Sequence, residues 1–219
     1  MIGVLCGLKS EAKIADRIPG VLVACSGAQA LQAQKLVKQL ADQGVRRLIS
    51  FGLAGGLSPE LQAGDLLLGV SVMATASGCW EADERWNKPL VGQLPDAFCV
   101  SFWGSDRTAF TAEEKNLVFR RTGCMAIDME SHIVARAAAR YNIPFNIVRA
   151  VSDGATFSLP PAARVPLTKE GTIDRSGIWK SIKKQPLQIK DLVTLGLSTH
   201  RAMQALKRAV EVLRQIEAG

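Results

Sequence analysis

The sequence predicts an α/β fold with a central, largely parallel sheet. Three observations predict it. Short apolar runs of strand length close in Gly or Ser-Gly. They alternate with stretches whose apolar residues recur at helical spacing. The chain has 219 residues, 47% of them hydrophobic and 21% charged, which suits one domain (1–219) with a full core.

The elements follow in order. "IGVLCGL" (2–8) is an apolar run ending in Gly, which reads as a buried strand. "VLVACSG" (21–27) repeats that form. Residues 28–44 place Leu31, Leu36, Val37, Leu40 and Ala41 on one helical stripe, with Gly44 as the stop. "RRLISFG" (46–52) and "DLLLGVSVMA" (65–74) are further strands. Residues 126–141 are expected to form a second long helix, stopped by Asn142 and Pro144, and "FNIVRAV" (145–151) returns as a strand. Residues 75–104 carry Trp80, Trp86 and Trp103 among turn residues and give no clear period. "LPPAARVP" (159–166) breaks the pattern, and helical stretches follow it. The last of these takes Ser198 as its N-cap and has Met203, Leu206, Val210 and Leu213 on one stripe.

Composition excludes several classes. No apolar run reaches the roughly 20 residues that span a bilayer. The N-terminus lacks the basic n-region of a signal peptide. Five cysteines without a C-x-x-C pair read as reduced thiols in a cytoplasmic protein. With two histidines and no cysteine cluster, no metal site is expected. Most of the formal charge of +7 lies in a basic, helical C-terminal region of about 178–219. There Lys180, Lys183, Lys184, Lys190, Arg201, Lys207, Arg208 and Arg214 face only Asp191, Glu211 and Glu217. That pattern fits a solvated helical face or attraction to an anionic surface. Nucleic acid is not expected as the partner, because aromatics are 5% of the chain and Trp179 alone could stack in the basic stretch.

The strand ends carry the chemistry. "GLKSEAK" (7–13) places Glu11 four residues after Gly7. "FGLAGGL" (51–57) lacks the spacing of a dinucleotide loop and the Lys of a phosphate-binding P-loop. Its glycines still let backbone approach a ligand, although a tight turn needs them equally. No G-x-S-x-G elbow is present, which disfavours an esterase-type hydrolase. "DMES" sets Asp128 and Glu130 around Met129, which a simple helix start would also explain. "RAVSDGA" (149–155) leaves Ser152 and Asp153 at a strand end, where an Asp also caps turns.

Taken in order, G-x-x-x-E, "GLAGGL" with "GDLLL" behind it, "DMES" and "VSD" resemble the nucleoside phosphorylase/nucleosidase superfamily over residues 1–157. That superfamily includes purine nucleoside phosphorylases and methylthioadenosine/S-adenosylhomocysteine nucleosidases. The stretch from "DGATFSLPPAARVP" to "LVTLG" resembles the hopanoid-associated nucleoside phosphorylase branch, whose members strip adenine from adenosylhopane. The resemblance implies a three-layer αβα nucleoside phosphorylase-like fold with a central mixed, mostly parallel sheet. It also implies a homodimer, no cofactor, and a nucleoside substrate that is lipid-linked in that branch. Peripheral association of the basic C-terminal region with the inner membrane surface would suit such a substrate.

The same resemblance implies the residue roles. Asp153 protonates N7 of the leaving purine. A protonated carboxyl can donate there while accepting the 6-amino hydrogen, which favours adenine over a 6-oxopurine. Thr108, Ala109 and Ser152 join Asp153 in holding the base. Glu130 holds the ribose hydroxyls, and Met129 packs against the sugar. Asp128 is structural, and His132 is a packing residue. Gly52, Leu53, Ala54 and Gly55 lie beside the nucleophile. Phosphorylases of the superfamily hold phosphate with two arginines and a hydroxyl, and the matching positions here are Glu11, Ser50 and Leu53. That favours Glu11 activating water over phosphorolysis. Leu53 departs from both patterns, and Arg107 is left as a possible phosphate contact. A non-catalytic nucleoside-binding protein is the competing class.

Overall fold

The computed structural model describes residues 1–74, 78–165, 167–168 and 171–218. The strands are β1 (Ile2–Cys6), β2 (Val21–Cys25), β3 (Arg47–Gly56) and β4 (Leu66–Ala74), then β5 (Gly78–Glu81), β6 (Phe98–Gly104), β7 (Ala126–Asp128) and β8 (Phe145–Asp153). The helices are α1 (Lys9–Ala15), α2 (Ala30–Asp42), α3 (Glu84–Gln93), α4 (Ala112–Thr122), α5 (Ser131–Tyr141), α6 (Arg175–Lys184) and α7 (Ile189–Ala218).

The sheet is mixed and mostly parallel, as expected. β1 runs parallel to β2 and β3, β3 to β8, β4 to β6, and β6 to β7. The β3–β7, β4–β5 and β4–β8 pairs are antiparallel. The pairings β3–β8–β4–β6–β7–β3 close a ring, so the sheet curls around its own centre. Alternation along each strand feeds two apolar layers. Ile2, Val4 and Cys6 of β1 face one layer with α1, α3 and α7, and Leu5 faces the other with α2 and α5. The result is the αβα sandwich of the sequence reading.

Three expectations need correction, and one stretch left unassigned is now filled in. "DMES" does not lie inside a helix starting at 126. Residues 126–128 pair with β6 and β3 as β7, and α5 begins only at Ser131. The glycine segment is not a loop, since β3 continues through it to Gly56 and pairs with β8. Gly in a strand is expected where a partner approaches closely, which is the case here. Ser198 caps nothing: α7 is continuous from Ile189, because burial of its later turns outweighs the weak helix preference of Gly196 and Ser198. Residues 78–104 hold β5, α3 and β6, while 75–77 lie outside the described residues, as does Pro166 of the "LPPAARVP" break.

Candidate active site

Glu11 is folded back over the start of its own helix. Its Oε2 accepts from the backbone N–H of Gly7 at 3.0 Å and of Leu8 at 2.8 Å. Its Oε1 accepts from Leu53 N–H at 2.9 Å. The carboxylate therefore bridges the end of β1 and the glycine segment of β3. Gly52 makes room for it: at φ +150°, a Cβ there would fall on the Glu11 carboxyl group. Glu11 is 2% exposed. Burial pushes its pKa up to about 7, with Arg149 pulling it down and Glu130 adding to the rise.

Beside it stands a buried cation that the sequence reading missed. Arg149, in the middle of β8, is 1% exposed. It donates to Glu130 Oε2 at 3.0 Å, Ser50 Oγ at 2.7 Å and Leu53 carbonyl at 2.9 Å. Its Nε lies 3.3 Å from Asp128 Oδ2. Burial works against its charge, but Asp128, Glu130 and Glu11 outweigh it and raise its pKa. The cation absent from Ser50 is thus supplied by the neighbouring strand, already surrounded by carboxylates. Glu130 is raised too, first by burial, with Arg149 opposing. Gly7 brings Glu11 and Glu130 together: a Cβ on it would lie 2.9 Å from Glu130 Oε1 and 3.6 Å from Glu11 Oε2. Asp128 accepts from the N–H groups of Glu130 (3.0 Å) and Ser131 (2.7 Å), and so fixes the turn into α5.

Asp153 ends β8 opposite Gly55, just past a register shift in the β3–β8 pairing. Bulges of this kind re-aim side chains. Asp153 is 6% exposed, and both its oxygens have protein donors. Ser152 Oγ donates to Oδ1 at 2.5 Å and lies 3.2 Å from the Ala54 carbonyl. Lys115 Nζ donates to Oδ2 at 2.5 Å. Lys115 comes from α4, is wholly buried, and spends its other donors on the carbonyls of Gly154 (2.8 Å) and Phe157 (2.9 Å). A Cβ on Gly55 would press on Ile127 Cγ2 at 3.2 Å and only touch Asp153 Oδ2 at 3.6 Å.

Glu11, Ser50, the Gly52–Gly55 segment, Glu130, Ser152 and Asp153 therefore form one connected group. Thr108 Oγ1 donates to Met129 Sδ at 3.2 Å, which ties Thr108 to the residue before Glu130. Ala109 is buried with Leu57, Cys124 and Ile127. His132 and Arg107 are not part of this group. His132 Nε2 faces Asp106 Oδ1 at 3.1 Å. Both line a separate polar cavity of about 270 Å³ with Trp103 and Arg136.

A protein-family model described as the phosphorylase superfamily matches residues 19–170, more than half of the chain. The 5′-methylthioadenosine/S-adenosylhomocysteine nucleosidase of Mycobacterium bovis is 25% identical over 177 residues, covering 61% of this chain and 69% of that protein. The crystal structure of the Helicobacter pylori nucleosidase of the same name superposes with a TM-score of 0.68 at 17% identity, covering 96% of this chain and 97% of that one. Futalosine hydrolase of Helicobacter pylori gives 0.67 at 17% identity with the same coverage. At that identity the structural likeness speaks for the fold.

Proposed function

This chain belongs to the phosphorylase superfamily, and we propose that it hydrolyses the N-glycosidic bond of an adenine nucleoside. The observation that carries hydrolysis is the seat of Glu11. The N–H groups of Gly7, Leu8 and Leu53 would suit a bound oxyanion, but they are occupied by a carboxylate of the protein itself. A phosphate dianion would also meet Glu130 and Asp128, which already surround Arg149. Water meets no such repulsion.

In the proposed reaction, Glu11 takes a proton from water as the hydroxide joins ribose C1′. The C1′–N9 bond breaks through an oxocarbenium-like state. Glu130, oriented by Arg149, accepts from the ribose hydroxyls, and Met129 lies under the sugar. Thr108, Ala109 and Ser152 bound the base. Asp153 delivers a proton to N7, and the carboxylate that results faces the Lys115 ammonium. The nucleosidase names of the relatives support the adenine nucleoside as substrate class. The resemblance of the segment after Asp153 supports a lipid-linked 5′ substituent, as in adenosylhopane, and a cytoplasmic homodimer.

The test is incubation of the whole chain with adenine nucleosides of increasing 5′ apolarity, with and without inorganic phosphate. Adenine and the sugar product are identified by mass spectrometry. Free sugar and indifference to phosphate are expected. A sugar 1-phosphate would overturn hydrolysis, and no adenine release from any of them would overturn the enzyme.

A further inference from the structure

Beyond the active-site strands, several large apolar side chains stand exposed among the described residues. Ile173 (62% exposed), Trp179 (63%), Leu187 (94%), Ile189 (49%), Val193 (58%) and Leu197 (62%) account for half of the large apolar side chains exposed among the described residues. They fall within 25 positions of a 219-residue chain. Single exposed apolar residues need no explanation, but a cluster of this kind does.

Its form is fixed by local structure. Ile189, Val193 and Leu197 stand four residues apart on the first half of α7, so they line one stripe. The second half of α7 turns Ala202, Ala205, Leu206, Ala209, Val210 and Leu213 into the core. The helix is therefore anchored by its second half, and over its first three or so turns Ile189, Val193 and Leu197 are exposed while Leu192 and Leu195 are half-buried. α6 has no buried residue at all. It is held in place by Gln188, which is 5% exposed: its Nε2 donates to Ser181 carbonyl at 2.9 Å, and its Oε1 accepts from Ala162 N–H at 2.7 Å. Trp179 and Leu187 are thus carried on an ordered platform.

The surroundings of the patch decide its partner. Lys180, Lys183, Lys184 and Lys190 are all exposed, and none forms an ion pair among the described residues. Between Ile173 and Arg201 the chain has six basic residues and two acids. One of those acids, Asp174, is engaged in capping α6 through Ser176 and Gly177 N–H. Exposed apolar side chains, one of them Trp, interspersed along the chain with exposed unpaired lysines match the two layers of a lipid interface: acyl chains below and anionic headgroups around. The segment reaches the proposed site only at its start, where Gly171 carbonyl, two residues before Ile173, accepts from Lys9 N–H at 3.2 Å.

We propose that α6 and the first half of α7 dock the protein reversibly on an anionic lipid bilayer, with Trp179, Leu187 and the Ile189–Val193–Leu197 stripe entering the interface and Lys180, Lys183, Lys184 and Lys190 meeting the headgroups. The inference rests on this surface and not on the catalytic reading. Its test reads binding and leaves adenine release aside.

The whole chain is co-sedimented with phosphatidylcholine vesicles with and without phosphatidylglycerol, at low and high salt. Binding to the anionic vesicles is expected, lost at high salt and absent on phosphatidylcholine alone. Each of Lys180→Glu, Lys183→Glu and Lys184→Glu should weaken it at least about fivefold. Trp179→Ala and Leu187→Ala should weaken it too, without changing thermal stability, since none of these side chains is buried. Protein that stays in the supernatant at low salt, binding equal on neutral vesicles, or binding indifferent to the lysine changes would each overturn the proposal. So would a dimer in light scattering that Leu187→Ala dissociates, because the patch would then belong to a second copy.

Discussion

Lys115 Nζ donates to Asp153 Oδ2 at 2.5 Å, and the two side chains are 0% and 7% exposed. A lysine is almost never buried without a partner, and this one has its three donors placed on Asp153, Gly154 and Phe157. The residue proposed to protonate the purine is therefore held by a cation from a different helix, and that cation also fixes the chain just beyond it.

Lys115→Met should cost stability and turnover together. Removing one partner of a buried pair leaves the other charge uncompensated, at a cost of about 3–5 kcal/mol. Thermal denaturation reads that loss. A Lys115→Met, Asp153→Asn double variant should recover part of it, because no lone charge is left. Losses that simply add would mean that the two residues do not act as a pair.

Asp153→Asn alone should lower turnover by about 10²–10⁴-fold, the range of general acid catalysis. Glu130, Met129 and Thr108 are untouched by the change, so KM should move far less than kcat. Near-full activity on adenine nucleosides would take Asp153 out of the mechanism.

Glu11 sets the expected pH dependence. It must be ionised to activate water, and its pKa is pushed up to about 7 by burial. Activity should therefore rise with pH through about 7, and Glu11→Gln should abolish it. Stability should move the other way. The folded state binds the proton more tightly than the unfolded chain, whose ordinary value is 4.5. The contribution to folding is full below 4.5 and is lost as pH climbs to about 7. The difference in Tm between the wild type and Glu11→Gln, followed across that window, checks the sign.

Much of this was legible in the sequence, and the rest was hidden for physical reasons. Glu11, Glu130 and Asp153 sit at element ends, where a polar residue interrupts an apolar run and stands out. The α/β class followed from apolar runs alternating with helical stripes such as those of α2 and α7, and the three layers came with the family resemblance. Arg149 was the one charge inside "FNIVRAV", a visible signal, since a buried strand tolerates a charge only with partners. Lys115 gave less. It lies among "AEEKNLVFRR", where one more charge on a polar helix attracts no notice, and only the tertiary contact with Asp153 marks it. The short β7 was unreadable because three residues carry no period. The glycine segment read as a loop because its pairing with β8 is a long-range fact.

Gly52 offers the sharpest test of the site's construction. Its φ of +150° lies where a residue with a side chain is strained, and a Cβ would overlap the Glu11 carboxyl group. Gly52→Ala should therefore cost about 1–3 kcal/mol from the backbone alone. It must also push Glu11 off the N–H groups of Gly7, Leu8 and Leu53. Once Glu11 moves, the bridge between β1 and β3 opens, and three buried or half-buried donors lose their acceptor. Gly55→Ala makes a milder comparison, because its closest contact is Ile127 Cγ2 at 3.2 Å and its distance to Asp153 Oδ2 is 3.6 Å. The expected order is near-complete loss of adenine release for Gly52→Ala and a partial loss for Gly55→Ala. If Gly52→Ala instead kept the wild-type rate and the rise of activity through about pH 7, the Glu11 carboxylate would not be the group that activates water.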